Sequence, residues 1–301
     1  MLLVVAESHG SSPGRAGYKM AVAANGELTG SIGGGVMEVS LVELAKSKVQ
    51  GPKSKVIEQV HRRDAESASG MICSGRQTVI VTQVGSANLE TVGAIIDSIE
   101  QGRVLIFEIS NLGCQITESK SDKSRHHFSQ SSETKFVYQE TIGLKEKLLI
   151  IGGGHCALAL SELMSKLDFQ ISIFDDRPEL NTIAKNEFAN SITIIDRYEN
   201  IGEHLAQGED VYVVVMTLGY KWDALVIKQL IDHKFKYFGV LSSKAKMAML
   251  MKQLRDEGID AAKLDRIRTP IGIAINSRKP EEIAISIAAE IIQVKNADGV
   301  S

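Results

Sequence analysis

Short apolar runs alternate with longer amphipathic stretches throughout the second half of the chain. From Lys147 onward, the runs of strand length are KLLII, QISIFD, SITII, VYVVVM and YFGVL, and helical periodicity lies between most of them, at about 155–168, 179–188, 222–233 and 243–257. Strands that alternate with helices are typical of a parallel sheet with right-handed crossovers. A last helix is predicted from Pro280, because proline suits the first helical turn and the acids Glu281 and Glu282 suit the positive end of the helix dipole. This half therefore predicts a Rossmann-like α/β domain.

The first half of the chain has a mixed pattern. Strands are predicted at MLLVVAE, YKMAVAA, LTGSI, RQTVIVTQV and RVLIFEI. The Asn25-Gly26 dipeptide between the second and third of these is a strong hairpin signal, since both positions tolerate a positive φ. A helix is predicted from about Val36, with Gly51 as its stop, and another over about 89–101. Residues 1–117 therefore predict a mixed α/β domain.

A polar segment separates the two halves. Residues 118–134 read ESKSDKSRHHFSQSSET, a run rich in serine, lysine and charge without periodicity, so an exposed loop is expected. The predicted organisation is an N-terminal domain over 1–117, a linker and connecting strand over 118–146, and a Rossmann-like nucleotide-binding domain over 147–301. The adjacent His126 and His127 lack acidic or thiol neighbours, so no metal site is predicted there.

Composition and charge exclude several classes of protein. The chain has 301 residues, 44% of them hydrophobic and 24% charged, as in an ordinary globular protein. With 34 Lys and Arg against 37 Asp and Glu, the formal net charge is −3, so the basic balance typical of a nucleic-acid-binding protein is missing. No apolar run is long enough to cross a membrane, and the N-terminus lacks the basic region of a signal peptide. Three scattered cysteines favour a reduced, cytoplasmic protein.

The strongest general motif lies at the start of the Rossmann-like domain. Gly152, Gly154 and Ala157 fit G-x-G-x-x-A between a predicted strand and a predicted helix. In that setting the first glycine permits the tight turn, the second lets a pyrophosphate approach the backbone, and the alanine permits close helix packing. Asp175 ends the next strand, where an acid binds the ribose hydroxyls, so NAD or another nucleotide is the predicted ligand. Arg177 lies near enough to alter the preference for NAD over NADP.

Other residues of the same domain are further candidates. His155 either meets a phosphate or caps the helix, and Cys156 in the first helical turn is expected to be structural. Thr217, Asp223 and the Ser242-Ser243-Lys244 segment are expected at the carboxyl edge of the sheet, where ligands of this fold bind. The fold alone does not establish that the site is used.

A glycine- and serine-rich block in the first domain predicts a second binding site. It has a Gly-Ser-Ser-Pro turn after the first strand and a triple-glycine turn before the first helix. Two such turns bring backbone N–H donors to one place, which holds a phosphate or an oxyanion without a large positive charge. The alternative is that both are structural turns. The candidate binding residues are Ser11, Ser12, Arg15, Lys19, Gly33, Gly34, Gly35 and Glu38.

Cys73 is the one cysteine expected to be reactive. It lies in GMICSGR, with glycines on both sides and Arg76 three residues further on. A neighbouring cation lowers the pKa of a thiol. The alternative is a small buried side chain, since free cysteines are commonly buried.

Together these blocks resemble the XdhC/CoxI family, the accessory proteins of xanthine dehydrogenase and related molybdenum hydroxylases. The matching stretches are GSSPGRAGYKM, GSIGGGVME, GMICSGR, IIGGGHCALAL, FDDRPEL, VVVMTLGYKWDALVI, GVLSSKAKMAML, TPIGI and KPEEIAISIAAEII, in the family's order over nearly the whole chain apart from the polar segment. Some members have cysteine directly after the triple glycine, where this chain has Val36. A sulfur relay would therefore depend on Cys73.

The resemblance implies a molybdenum cofactor chaperone. Such a protein binds the molybdopterin cofactor, with the glycine-serine turns, Arg15 and Lys19 suited to its phosphate, and the Cys73 thiolate suited to molybdenum or to sulfur relay. The implied partners are a cysteine desulfurase, a molybdenum hydroxylase of the xanthine dehydrogenase type, and a second copy in a homodimer. Two other functions stay open. One is an NAD-dependent oxidoreductase, although the sequence has no Tyr-x-x-x-Lys pair or placed His-Asp dyad to act as the proton donor of such an enzyme. The other is a structural component of the hydroxylase complex.

Overall fold

The computed structural model describes residues 1–47, 53–60, 75–118, 126–132 and 135–297. They form two compact units, Met1–Leu144 and Lys145–Ser301, termed the N-terminal and C-terminal units. The predicted fold class, a mixed α/β domain followed by a Rossmann-like domain with a parallel sheet, is confirmed. Among the described residues, no helix is long and apolar enough to cross a membrane.

An antiparallel sheet covered by one helix forms the first part of the N-terminal unit. Its elements are β1 Leu2–Gly10, β2 Lys19–Val22, β3 Leu28–Gly30, α1 Gly35–Lys46, β4 Ser54–Val60 and β5 Gly75–Thr82, and the strand order is β3-β2-β1-β5-β4. Apolar side chains of β1, β5 and α1 make its core, among them Leu3, Val5, Leu41 and Val79. The end of β1 lies beside the start of β5, where Gly10 pairs with Gly75.

A second antiparallel sheet completes the N-terminal unit. Its elements are α2 Leu89–Glu100, β6 Leu105–Ser110, β7 Gly113–Glu118, β8 His126–Ser132 and β9 Lys135–Ile142, and the strand order is β7-β6-β9-β8. The prediction of an exposed loop is therefore wrong for residues 126–132, which pair with β9. Because β8 is an edge strand with mostly exposed side chains, it lacks the apolar alternation that identifies a strand. The N-terminal unit extends to Leu144, beyond the predicted domain, because β9 pairs with β6.

A parallel sheet forms the centre of the C-terminal unit. Its strands are β10 Glu146–Ile151, β11 Phe169–Asp175, β12 Ser191–Ile194, β13 Gly208–Val215 and β14 Phe235–Val240, in the order β12-β11-β10-β13-β14. The chain moves outward from β10 in one direction through β11 and β12, and then in the other through β13 and β14. In such a sheet, ligands bind where the order reverses, at the carboxyl ends of the two central strands.

Helices cover both faces of this sheet. They are α3 His155–Met164, α4 Asn181–Ala184, α5 Ile201–His204, α6 Tyr220–Leu230, α7 Lys244–Asp256, α8 Ala261–Leu264 and α9 Pro280–Asn296. One core includes Val226 of α6 and Leu250 of α7, and the other includes Leu160 of α3 and Ile287 of α9. The predicted helix from Pro280 is confirmed, and α3 begins directly after β10, at the carboxyl edge.

Candidate functional site

Three glycine-bearing segments of the N-terminal unit meet at one place, backbone against backbone. A Cβ added to Gly33 would lie 2.4 Å from the amide nitrogen of Gly14, and one added to Gly75 would lie 2.5 Å from that of Ser12. The segments are the turn after β1, the turn before α1 and the start of β5. The structure therefore brings the Gly-Ser-Ser-Pro and triple-glycine turns together, beside the start of β5.

A chain of hydrogen bonds from the buried Ser12 and Gln77 to the half-buried Gln59 supports this junction. The Ser12 hydroxyl donates to Gln77 Oε1 at 2.9 Å, Gln77 Nε2 donates to Gln59 Oε1 at 3.0 Å, and Gln59 Nε2 donates to the Met37 carbonyl at 3.0 Å. Ser12 is therefore used internally, whereas Ser11 is exposed. Sequence reasoning missed both glutamines, although Gln77 is a polar residue just before the apolar run of β5, which begins after Thr78.

The carboxylate of Glu38 occupies the triple-glycine turn. Its Oε2 accepts hydrogen bonds from the Ser31 hydroxyl at 2.7 Å, the Ile32 amide at 2.9 Å and the Gly34 amide at 3.0 Å. The three glycines, residues 33–35, have positive φ values of 123°, 76° and 69°, and such turns aim backbone N–H groups at one point. Burial alone would raise the pKa of Glu38, but these hydrogen bonds lower it below its ordinary value. The turn is thus an anion-binding nest filled by the chain's own carboxylate.

Lys19 takes part in an ion pair within the N-terminal unit. Its Nζ lies 2.6 Å from a carboxylate oxygen of Glu140 on β9 and donates to the Gly17 carbonyl at 2.9 Å. The Tyr138 hydroxyl donates to the same carboxylate at 3.0 Å. A phosphate could recruit Lys19 only by breaking this pair, so in this structure Lys19 joins β2 to β9.

The other two predicted cations, Arg76 and Arg15, differ in whether they form an ion pair with a described residue. Arg76 forms an exposed ion pair with Glu58, at 3.2 Å. Arg15 is exposed, with Nη1 at 3.5 Å from the Ser12 carbonyl, and it makes no ion pair with any residue that the structure describes. Arg15 is therefore the cation best placed to meet an anion at the nest. Cys73 lies outside the described residues.

The glycine turn of the C-terminal unit has the geometry that the motif predicts. Gly152 has φ +110°, and its amide donates to the Phe174 carbonyl at 2.8 Å. A Cβ at this residue would lie 2.3 Å from the Met216 carbonyl oxygen, whereas one at Gly154 would meet nothing within 4 Å. His155 is exposed at the start of α3, and the fully buried Ala157 lies in the core. The turn thus leaves an open approach to the amides at the start of α3.

Asp175 is fully buried and makes all its hydrogen bonds within the protein. Its Oδ2 accepts from the Gly153 amide at 2.6 Å and from Arg177 Nη2 at 2.8 Å, and its Oδ1 accepts from the Arg177 amide and Nε, both at 2.9 Å. Burial alone would raise the pKa of Asp175, but the Arg177 guanidinium and the backbone amides lower it. A ribose hydroxyl would have to displace Arg177. Sequence reasoning passed over the neighbouring Asp176, which lies 3.6 Å from Arg177 Nε and is only half-buried.

Further polar groups lie at the carboxyl edge of β13 and β14. The Thr217 hydroxyl donates to Asp223 Oδ1 at 2.6 Å. Burial raises the pKa of this carboxyl group, against the opposing effects of the Thr217 hydrogen bonds and of Lys246. Ser243 caps α7 by accepting from the Lys246 amide. The expected edge position of Thr217, Asp223 and Ser243 agrees with the structure.

The two described cysteines lie where the thiolate form is disfavoured. Burial raises the thiol pKa of both Cys114 and Cys156, and Cys156 packs against the core of the C-terminal unit, as expected. No group of three or more His, Cys, Asp or Glu side chains within the described parts of the chain is arranged to hold a metal ion.

Comparisons with known families match both units. A family model described as the XdhC Rossmann domain matches residues 148–291. A second, described as the XdhC and CoxI family, matches residues 1–60. Each glycine turn described above falls within one of these matches.

Individual proteins resemble this chain over nearly its whole length. The uncharacterized protein YqeB of Escherichia coli K12 is 26% identical over 295 residues, which are 97% of this chain but only 43% of YqeB. A Bacillus subtilis strain 168 protein, named as one of the probable subunits of xanthine dehydrogenase, is 21% identical over 314 residues, covering 98% of this chain and 93% of the relative. A crystal structure described as a xanthine dehydrogenase from Bacillus halodurans has a TM-score of 0.74 at 22% identity, over 98% of this chain and 91% of that one. At this identity the structural likeness shows the fold alone.

Proposed function

Because the chain belongs to the XdhC and CoxI family, we propose that it is a molybdenum cofactor chaperone for a hydroxylase of the xanthine dehydrogenase type. It binds a molybdopterin cofactor as cargo, holds it while a cysteine desulfurase supplies sulfur, and delivers it to the hydroxylase. The name of the Bacillus subtilis relative supports the link to xanthine dehydrogenase. The proposal includes action as a homodimer in the cytoplasm, where thiols stay reduced.

The anion-binding nest is the structural observation that carries this proposal. The Ser31 hydroxyl and the amides of Ile32 and Gly34 converge on one carboxylate oxygen, and the same donors suit an oxygen of the pterin phosphate. Arg15 supplies a cation at the neighbouring turn, and the exposed Ser11 supplies a hydroxyl. For the phosphate to enter, the Glu38 side chain has to turn out of the nest.

Cys73 is proposed to supply the thiolate of this function. A thiolate is a soft ligand that suits molybdenum and also accepts and passes on sulfur. Gly75, two residues further along the chain, packs against the Ser12 backbone. Cys73 is therefore close in sequence to a residue at the junction that supports the nest.

The alternative of an NAD-dependent oxidoreductase receives less support from the site. The start of α3 is open to a phosphate, which favours a nucleotide. Against that, both oxygens of Asp175 are occupied by Gly153 and Arg177, so this carboxylate does not fit a ribose diol without rearrangement. A purely structural component of the complex would instead co-purify in a fixed ratio with the mature hydroxylase.

The decisive measurement is the ligand content of the full chain after expression in a host that makes molybdopterin. We expect pterin fluorescence on denaturation of the wild type and at least a severalfold lower pterin content or sulfuration in Cys73→Ala, with Cys114→Ala as the control because its thiol is half-buried and its pKa is raised by burial. If the protein contained no pterin but a bound nicotinamide nucleotide, the chaperone proposal would be rejected in favour of an NAD-dependent oxidoreductase. Unchanged pterin retention and sulfuration in Cys73→Ala would remove Cys73 from the function.

Neutralising Glu38 is expected to increase cofactor retention. In Glu38→Gln the carboxylate that competes for the nest loses its charge, while the hydroxyl and amide donors remain. We expect a severalfold higher pterin content per chain, and no change in Glu43→Gln, which alters an exposed acid on the same helix that pairs with Lys46. Lower pterin content in Glu38→Gln, with the fold intact by circular dichroism, would show that the carboxylate assists binding and does not compete.

A further inference from the structure

Helix α2 of the N-terminal unit leaves one apolar side uncovered. Leu89, Val92, Ile96 and Ile99 recur at helical spacing and are 69%, 38%, 50% and 42% exposed, whereas Ser98 on the opposite side is the buried residue of this helix. We term these four residues the α2 stripe. Scattered apolar residues are normal on a protein surface, but a continuous stripe of this length marks an interaction site.

An apolar cavity adjoins the α2 stripe. Its volume is about 470 Å³, and its lining includes Val22, Glu27, Val92, Ile95 and Phe107. Val92 belongs to both features, so the cavity and the α2 stripe form one surface. The cavity is large enough to receive a bulky apolar side chain, as an anchoring pocket of an interface does.

The charged side chains beside this surface are acidic, while the N-terminal ammonium of Met1, which donates to the Val22 carbonyl at 2.8 Å, also lines the cavity. Glu90, Asp97 and Glu100 follow one border of the α2 stripe at helical spacing, and α2 carries no Lys or Arg. Glu27 is the one acidic or basic side chain among those that line the cavity. A second copy that paired α2 with α2 would bring three more carboxylates and no cation, so self-association through this helix is electrostatically disfavoured.

We propose that the α2 stripe and its cavity form the docking site for an amphipathic helix of a partner protein, one that combines large apolar residues with flanking Lys or Arg. The apolar residues fill the cavity and cover the stripe, and the basic flanks pair with the acids along its border. Gly93 lies at the border between the stripe and the acidic residues, and a Cβ there would meet nothing within 4 Å, so the partner helix can approach the backbone closely. This docking site is independent of the cofactor role proposed above.

Binding of a synthetic probe to the full chain tests this site. The probe is a fluorescein-labelled amphipathic helix built of leucine and lysine, and the counter-probe has glutamate at every lysine position. We expect the lysine probe to bind at least about tenfold more tightly, measured by fluorescence anisotropy, and the Val92→Ser/Ile96→Ser variant to lose that binding. The control is Ile285→Ser on α9, which alters an apolar residue of similar exposure, 54%.

A charge-reversed variant keeps the test valid if the serine variant is unstable. In Glu90→Lys/Asp97→Lys we expect the preference to change in favour of the glutamate probe. Equal binding of both probes, or unchanged binding in both double variants, would overturn the proposal. A concentration-dependent dimer in sedimentation that disappears in Val92→Ser/Ile96→Ser would also overturn it, because the occupant would then be a second copy.

Discussion

Replacing Gly152 by alanine is expected to destabilise the C-terminal unit severely. The residue has φ +110°, a conformation that costs a side-chain-bearing residue on the order of 1–2 kcal/mol. The new Cβ would also lie 2.3 Å from the Met216 carbonyl oxygen and 2.7 Å from its carbon, and backbone atoms at the end of a central strand cannot move aside cheaply. Overpacking of this kind costs about 1–3 kcal/mol more. A total near 3 kcal/mol corresponds to a fall in Tm of about 6–12 °C, measurable by calorimetry.

Gly154→Ala is the matched control within the same turn. Gly154 has φ −73°, and its Cβ would enter open space, so we expect a loss of about 1 kcal/mol or less, the ordinary cost of alanine at a helix N-cap. Any ligand whose phosphate contacts this turn should nevertheless bind more weakly, since the methyl group occupies the approach to the amides. Equal melting temperatures for Gly152→Ala and the wild type would contradict the backbone packing described here.

The C-terminal unit was the more predictable part of the fold. Strands buried on both faces need continuous apolar runs, and KLLII and VYVVVM satisfy that requirement without any knowledge of tertiary structure. The start of α9 followed from Pro280 and the acids behind it, and the observed helix is Pro280–Asn296. The helix predicted over 179–188 is shorter in the structure, Asn181–Ala184. A turn follows it, in which Asn186 Oδ1 accepts hydrogen bonds from the amides of Phe188 and Ala189.

Edge strands of the N-terminal unit were beyond sequence reasoning. β8 and β4 present mostly polar or half-exposed side chains, and the hydrogen bonds that define them come from β9 and β5. β5 begins 15 positions after the end of β4, whereas β9 follows β8 after only Glu133 and Thr134, a pair that lacks the Asn-Gly or Asp-Gly signal of a two-residue hairpin turn. The sequence therefore predicted a loop over residues that include 126–132, and it predicted no strand over 54–60.

At the candidate sites, sequence identified the residue types but not their hydrogen-bond partners. Glu38 was a candidate binding residue, and its carboxylate accepts hydrogen bonds from the preceding turn, including the amide of Gly34, the N-cap residue of α1. Asp175 was expected to bind ribose, and the Gly153 amide, 22 residues away in sequence, takes one of its oxygens. Whether a carboxylate has already accepted its hydrogen bonds within the protein depends on donors that only the folded chain brings near it.

Arg177→Ala is expected to cost the C-terminal unit about 3–5 kcal/mol, because it leaves the fully buried Asp175 without its counter-charge. In the wild type, the hydrogen bonds from Arg177 and the Gly153 amide outweigh the effect of burial and lower the pKa of Asp175. The ionised carboxylate of the wild type therefore contributes stability at any pH above its unfolded pKa, about 3.9, and this contribution is lost only as the pH falls through the lower folded value. The wild-type Tm should thus show no loss from this group between pH 8 and 5.

Unlike the wild type, the Arg177→Ala variant should gain stability from Asp175 as the pH falls. Without the guanidinium, we expect burial, the largest influence on this carboxyl group, to outweigh the remaining amides of Gly153 and residue 177 and to raise the pKa of Asp175 above its unfolded value. Protonation would then stabilise the variant, and its Tm deficit would narrow as the pH falls from 7 toward 5. Arg255→Ala is the control, since it removes only the exposed pair with Asp265 at 3.3 Å, worth about 0–1 kcal/mol. A similar small deficit for Arg177→Ala, unchanged with pH, would mean that the carboxylate of Asp175 finds other donors and that Arg177 is free to leave it for a ligand.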